Sequence, residues 1–138
     1  MNKTIIMIII SIFIIITGNS GCIQDNPTNN TWGEKKISID AIKVSNNTTW
    51  NRSETNESQY YVYGYLYNDN QFEALDPKIK ITTYYANGTV FAFNDTPYID
   101  PKNLPAKGSS RFYARFYDPD KKITNFTVEV LNAKGELG

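Results

Sequence analysis

The chain has 138 residues, no histidine and one cysteine, and Lys+Arg and Asp+Glu both count 14, so its formal net charge is zero. Without histidine it lacks the commonest general base and metal ligand, and a single cysteine cannot form an intramolecular disulfide. The balanced charge gives no basic excess for binding nucleic-acid phosphates. We therefore expect no enzyme, no cofactor, no metal site and no nucleic-acid partner. The length favours one domain plus targeting segments.

The amino terminus reads as an export signal. Lys3 supplies a positive charge, and residues 5–16 form an apolar run rich in isoleucine. This run is shorter than the roughly 20 apolar residues that span a membrane, which is typical of a signal peptide. We predict a signal peptide over residues 1–21.

The sole cysteine, Cys22, directly follows the small residues Ser20 and Gly21. This arrangement resembles the lipobox of prokaryotic lipoproteins, although Asn19 stands where that motif usually has leucine. The resemblance implies that Cys22 carries a lipid and that residues 22–35 tether the domain to the membrane. An ordinary signal peptide with a spare cysteine and an uncleaved membrane anchor are the alternatives, and all three export the chain.

Many Asn-x-Ser/Thr sequons fall in polar segments that are expected to be loops, where a glycan could project into solvent. An equally good interpretation is that these are solvated, Asn-rich turns. The candidate glycosylation sites are Asn46, Asn47, Asn51, Asn56 and Asn87.

Alternation of apolar and polar residues, with period two, predicts strands along the rest of the chain. A change of parity near Ala41 suggests a bulge in the first strand. A long polar loop is expected over residues 45–59, a connection over 95–108, and a tight hairpin at Asn87-Gly88. The six predicted strands are 36–44, 60–68, 78–85, 89–94, 109–117 and 124–131.

These strands, without a helical stretch, predict an all-β antiparallel β-sandwich of about six to eight strands after the apolar signal segment. The sandwich is expected over residues 36–132, with 133–138 as a frayed tail. Asp118-Pro119-Asp120 and Asn68-Asp69-Asn70 could offer oxygen ligands to calcium, but neither has a spaced ligand set, so we interpret both as turns.

One predicted strand carries a ladder of tyrosines on a single face. Val62, Gly64 and Leu66 match the inward parity of the neighbouring strands, so the tyrosines between them should point outward. Tyr84, Tyr113 and Tyr117 have the outward parity of their own strands and could extend the surface. Packing of the outer sheet face explains these tyrosines without any ligand. The candidate interaction residues are Tyr61, Tyr63, Tyr65, Tyr67, Tyr113 and Tyr117.

Three stretches resemble elements of FxLYD-type domains over residues 39–130. In that pattern Tyr85 stands where the name motif has aspartate and Thr83 where it has leucine. The resemblance implies an immunoglobulin-like β-sandwich in exported or membrane-tethered prokaryotic proteins, many of them archaeal and generally without an assigned activity. The stretches are Val62-x-Gly64-x-Leu66-x-Asn68, Ile81-Thr82-Thr83-Tyr84-Tyr85-Ala86-Asn87-Gly88 and Leu104-Pro105-Ala106-Lys107-Gly108-Ser109-Ser110-Arg111-Phe112.

The sequence therefore predicts a non-enzymatic, lipid-anchored cell-surface domain on the outer face of the cytoplasmic membrane. Its expected partners are the membrane, through the lipid, and an envelope protein or glycan of unknown identity. Carbohydrate binding through the tyrosine ladder is one alternative, and a structural spacer without a specific ligand is another.

Overall fold

The computed structural model describes residues 33–137, and within them eight strands account for most of the chain. The prediction of an all-β antiparallel sandwich is confirmed. No helix in the described range is long and apolar enough to cross a membrane. A short 3-10 helix, Ile39–Ala41, precedes the strands, which are β1 Ile42–Val44, β2 Thr49–Arg52, β3 Gln59–Asn68, β4 Ala74–Tyr84, β5 Val90–Asn94, β6 Tyr98–Asp100, β7 Ser109–Tyr117 and β8 Asn125–Gly135.

The strands form two antiparallel sheets. In the five-stranded sheet β3 is central, with β7 on one side and β6 beyond it, while β1 and β2 lie one after the other along the opposite edge of β3. The three-stranded sheet has the order β5-β4-β8. Each sheet turns its apolar side toward the other, as two packed sheets require.

The core follows the predicted alternation closely. Val62 and Leu66 of β3 are fully buried, and so are Ile79 and Ile81 of β4. Phe126, Val128 and Val130 of β8 are only partly buried, because β8 is an edge strand of the smaller sheet, whereas Ala133 is buried. The alternating apolar residues of β7, namely Phe112, Ala114 and Phe116, are also buried.

The amino-terminal strand is shorter than predicted. Residues 36–44 do not form one bulged strand, because Ile39–Ala41 is a 3-10 helix and β1 begins only at Ile42. The side chain of Asn70 explains the change of direction. It accepts a hydrogen bond from the Ser38 backbone N–H at 2.8 Å and donates one to the Ser38 carbonyl at 3.0 Å.

The predicted polar loop over residues 45–59 contains a strand, β2, that the sequence analysis missed. The chain turns at Ser45, whose carbonyl accepts the Thr48 backbone N–H at 3.1 Å, and then resumes pairing with β3. Gly64 lies opposite this turn, and a β-carbon there would come within 2.6 Å of Thr48 Oγ1. Because Gly64 has no side chain, there is room for Thr48 at the sheet edge.

The predicted connection over residues 95–108 also contains a strand. This strand, β6, has three residues, and all of them pair with β7. The pairs are Tyr98–Tyr113, Ile99–Phe112 and Asp100–Arg111. So short a strand gives little periodicity in the sequence, and Pro97 and Pro101 on either side favour a loop assignment.

The carboxyl-terminal residues are ordered into the sheet, contrary to the frayed tail expected over 133–138. Strand β8 continues to Gly135, and Leu137 forms a β-bridge with Glu34. Lys35 donates its backbone N–H to the Glu136 carbonyl at 2.7 Å. The ordered domain thus includes residues 34 and 35, which were predicted to belong to the tether.

Candidate functional site

The outer side of the five-stranded sheet presents a continuous set of tyrosines, here called the tyrosine face. It contains the six tyrosines that were named as candidate interaction residues. Tyr98 of β6 belongs to it as well, although no strand was predicted there. The tyrosine face consists of Tyr61, Tyr63, Tyr65, Tyr67, Tyr98, Tyr113 and Tyr117.

The strand register brings these side chains side by side. Tyr63 is paired with Tyr113, which is in turn paired with Tyr98, so three tyrosines cross three neighbouring strands in one row. The Tyr98 and Tyr113 rings lie 5.0 Å apart with a 34° tilt. Such a spacing is within the usual range for interacting aromatic rings.

The tyrosine rings are open to solvent to an unusual degree. Tyr65 is 50% exposed and Tyr117 is 71% exposed, whereas Tyr60 on the opposite parity of β3 is 1% exposed. Tyr61 is half-buried and donates a hydrogen bond from its hydroxyl to Gln59 Oε1 at 3.1 Å. The predicted outward orientation of the ladder is therefore correct.

Tyr84 does not extend this surface. It lies in β4 of the three-stranded sheet, where its hydroxyl is 3.1 Å from the Thr127 hydroxyl. Parity along a strand shows whether a residue points outward, but it does not show which of the two sheets contains the strand.

The charges on the tyrosine face are mostly positive. Arg111 pairs loosely with Asp100 across β7 and β6, at 3.4 Å. Arg115, which is paired with Tyr61, has no carboxylate partner within residues 33–137. Lys43 adds a third cation beside Tyr67. The face therefore combines aromatic rings with a surplus of positive charge.

Strand β6 begins at Tyr98 and covers only part of the β7 edge. A shallow groove of about 340 Å³ opens beside the uncovered part. The rings of Tyr98 and Tyr113 form part of its wall. Asn94 borders the groove from the other sheet, and its Oδ1 accepts the Thr96 backbone N–H at 2.8 Å. The groove is lined by Tyr61, Asn94, Tyr98, Tyr113, Ala114 and Arg115.

A second group of arginine and aromatic side chains lies at the end of the same sheet and is fully paired. Asp118, whose side chain is 1% exposed, forms an ion pair with Arg52 at 2.7 Å. Arg52 also lies over the Tyr60 ring, on which Trp50 stacks with ring centres 5.0 Å apart. Asp118, Arg52, Tyr60 and Trp50 are here called the Asp118 cluster.

Both carboxylate oxygens of Asp118 are engaged by the protein itself. Oδ1 accepts the Lys122 backbone N–H at 2.8 Å, and Oδ2 accepts the Ile123 backbone N–H at 3.0 Å in addition to Arg52. Burial raises the pKa of Asp118, but these hydrogen bonds outweigh that effect and hold its pKa below the usual range. Asp118 thus fixes the turn between β7 and β8.

The second acidic turn is structural too. Asn68 is fully buried and donates from Nδ2 to the carbonyls of Phe72 at 2.9 Å and Leu104 at 3.1 Å. Its Oδ1 accepts the Asn70 backbone N–H at 3.0 Å. Within the described range no group of three or more acidic, Cys or His side chains could hold a metal ion.

The candidate glycosylation sites all lie at exposed positions, and their occupancy stays a prediction. Asn51 is in β2 directly across from Tyr61, so a glycan there would border the tyrosine face. The Asn87 side chain accepts the Thr89 backbone N–H at 3.0 Å in the β4–β5 hairpin. The exposed residues are Asn46, Asn47, Asn51, Asn56 and Asn87. Cys22 and the signal peptide predicted over 1–21 lie outside the described residues.

Searches of family models, of curated proteins and of solved structures find no match for this chain. Function is therefore inferred from the side chains of the chain itself.

Proposed function

We propose that the chain is an exported, lipid-anchored domain that binds a negatively charged component of the cell envelope through its tyrosine face. The observation that carries this proposal is the row formed by Tyr63, Tyr113 and Tyr98, which are paired across three neighbouring strands and are 40% to 47% exposed. Tyrosine offers a rigid apolar ring with a polar tip, which suits it to binding surfaces.

The charge on the face supports an acidic partner. Lys43, Arg111 and Arg115 are exposed on it, against the single carboxylate of Asp100. Since opposite charges steer association and suppress wrong partners, a surface of this kind favours an anionic ligand. The chain as a whole has zero formal charge, so this surplus is local to the face.

Export and anchoring rest on the amino-terminal sequence. The apolar run, the following small residues and Cys22 together favour a lipoprotein signal. The resemblance to FxLYD-type domains is also part of the proposal and rests on the three sequence stretches that carry it. The absence of histidine favours a binding role over catalysis.

The test is a double variant of the full chain, Tyr63→Ser combined with Tyr65→Ser, which removes two rings of the face. The protein is expressed in its native membranes. Crosslinking and pull-down should recover the partner with the unaltered chain and lose most of it with the double variant. The matched control is Phe93→Ser with Val90→Ser, which removes two side chains of similar exposure from the three-stranded sheet.

Three outcomes separate the possibilities. Loss of the partner with the tyrosine variant and retention with the control support the proposal. If the tyrosine variant and the control both recover as much partner as the unaltered chain does, the tyrosines serve packing alone. Recovery of no specific partner by the unaltered chain would favour a structural spacer.

A further inference from the structure

We infer that the groove lined by Tyr61, Tyr98, Tyr113, Asn94 and Arg115 binds a carboxylate-bearing sugar residue of an acidic glycan. This inference rests on the proposed function and names the ligand class for one part of the tyrosine face. It assigns the carboxylate to Arg115 and the sugar ring to the tyrosines.

Arg115 has the chemistry that a carboxylate requires. A guanidinium presents a planar fork of N–H donors that matches the two oxygens of a carboxylate. In the same sheet Arg52 pairs with the Asp118 carboxylate through a single oxygen, Oδ2, at 2.7 Å. Arg115 pairs with no carboxylate in the described part of the chain, although it lines the groove.

The groove walls suit a sugar ring. The rings of Tyr98 and Tyr113 both line the groove, with centres 5.0 Å apart and a tilt of 34°, and both residues are exposed. Pyranose rings have apolar C–H faces that stack on such surfaces, while their hydroxyls bond to polar groups at the rim. A volume of about 340 Å³ lies at the small end of ligand pockets and suits a short stretch of a chain.

The polar groups of the groove are mainly donors. The Oδ1 atom of Asn94 already accepts the Thr96 N–H, and within residues 33–137 its Nδ2 donates to no protein acceptor. Arg115 is a donor only, and the hydroxyls of Tyr98 and Tyr113 can donate, whereas the Tyr61 hydroxyl already donates to Gln59. A uronic acid, which adds a carboxylate to a ring rich in oxygen acceptors, fits this set better than a neutral sugar does.

The groove is open along one side. Strand β6 covers β7 from Arg111 to Tyr113 and then ends, so Ala114 and Arg115 lie beside an uncovered edge. A polymer can therefore pass across the groove while one of its residues occupies it. The aromatic rings favour a glycan over an acidic peptide. Binding of a tetraglutamate peptide tests that alternative.

The experiment titrates the full chain, in detergent micelles and produced without N-glycans, with a galacturonate tetrasaccharide. A galactose tetrasaccharide of the same linkage is the neutral comparison. Calorimetry should show binding of the acidic tetrasaccharide, with affinity at least about tenfold above that of the neutral one. The variant Arg115→Gln should weaken acidic binding by about tenfold and leave neutral binding unchanged.

The matched control is Arg111→Gln, which removes an equal charge from the same face outside the groove. It should change acidic binding by less than about threefold, since only screened surface charge is lost. Tyr98→Ser should weaken the binding of both sugars, because both would stack on the Tyr98 ring.

Several results would overturn the inference: no binding of the galacturonate, equal binding of both sugars, equal effects of the two arginine variants, or equally tight binding of a tetraglutamate peptide. Its failure can be distinguished from failure of the proposed function. If Arg115→Gln binds galacturonate like the unaltered chain while the Tyr63/Tyr65 variant still loses its partner, the groove inference alone is wrong. If Arg115→Gln weakens galacturonate binding while the Tyr63/Tyr65 variant keeps its partner, the proposed function of the tyrosine face is wrong.

Discussion

The Asp118 cluster and the groove of the tyrosine face are built from the same kinds of residue. Each places an arginine beside aromatic rings of the five-stranded sheet, Arg52 with Tyr60 and Trp50 in one case, Arg115 with several tyrosines in the other. In the cluster, Asp118 pairs with Arg52 at 2.7 Å, and the Asp118 side chain is only 1% exposed. In the groove, no carboxylate of residues 33–137 pairs with Arg115.

This difference separates stability from binding. A buried arginine whose charge and hydrogen bonds are satisfied within the protein contributes to folding, and it has nothing left to offer a ligand. An exposed arginine between open rings contributes little to folding, and its donors are available. The two regions should therefore respond in opposite ways to substitution.

The largest expected effect is on the Asp118 cluster. Asp118→Asn should lower the free energy of unfolding by about 3 to 5 kcal/mol, because Arg52 would be left partly buried without its carboxylate. Urea denaturation of Asp118→Asn and the unaltered chain, both with Trp32→Phe so that Trp50 is the sole tryptophan and reports by fluorescence on its stack with Tyr60, measures the loss. Galacturonate binding by the folded fraction should be unchanged.

The exposed pair of Lys107 and Asp69, at 2.8 Å, provides the control. Asp69→Asn removes a carboxylate of the same type from a pair in which both side chains are more than half exposed. It should leave the urea midpoint almost unaltered. Equal losses from Asp118→Asn and Asp69→Asn would contradict the structural role given to the cluster.

Acid should reproduce part of the Asp118 effect. The folded pKa of Asp118 is lowered, so its contribution is fully present above the unfolded-state pKa of about 4 and is lost as the pH falls through the folded value. The difference in urea midpoint between the unaltered chain and Asp118→Asn should therefore shrink on acidification. A difference that stays constant down to about pH 2 would show that Asp118 is not preferentially ionised in the folded state.

A smaller effect is expected at Gly64, in the central strand β3 of the same sheet. A β-carbon there would lie 2.6 Å from Thr48 Oγ1 and 3.1 Å from Thr48 Cα. Gly64→Ala should cost about 1 to 3 kcal/mol, because Thr48 is held by its own hydrogen bond to the Ser45 carbonyl. Adding Thr48→Ala removes the nearer atom and should recover part of the loss in the same urea measurement.

The smallest change in stability is expected on the tyrosine face. Tyr65→Ser and Arg115→Gln should each shift the free energy of unfolding by no more than about 0.5 kcal/mol, as is usual for exposed positions. Thermal and urea unfolding of both variants test this expectation. A loss above about 2 kcal/mol at Arg115 would place it with the Asp118 cluster as a structural residue and remove the contrast between the two regions.

Local pattern predicted the parts of the fold that local physics controls. Alternation in β3, β4 and β7 correctly separated inward from outward residues, and Asn87-Gly88 marked the β4–β5 hairpin, in which Gly88 has φ +84°. Strands β2 and β6 were missed because three or four residues give too little periodicity, and both exist only through pairing with β3 and β7. The carboxyl-terminal end of β8 was missed because it is held by pairing with Ala74 and Leu75 of β4, which are distant in the sequence.

By itself, the sequence determined that this chain has no histidine chemistry and that one face of β3 is tyrosine-rich, and it predicted an export signal at the amino terminus. It could not show which outward residues share a sheet, because parity is a property of a single strand. Tertiary structure separated Tyr84 from the tyrosine face, added Tyr98 to it, and paired Asp118 with Arg52 while Arg115 stayed without a carboxylate among the described residues. These distinctions come from contacts between distant parts of the chain, which are fixed only when the two sheets pack together.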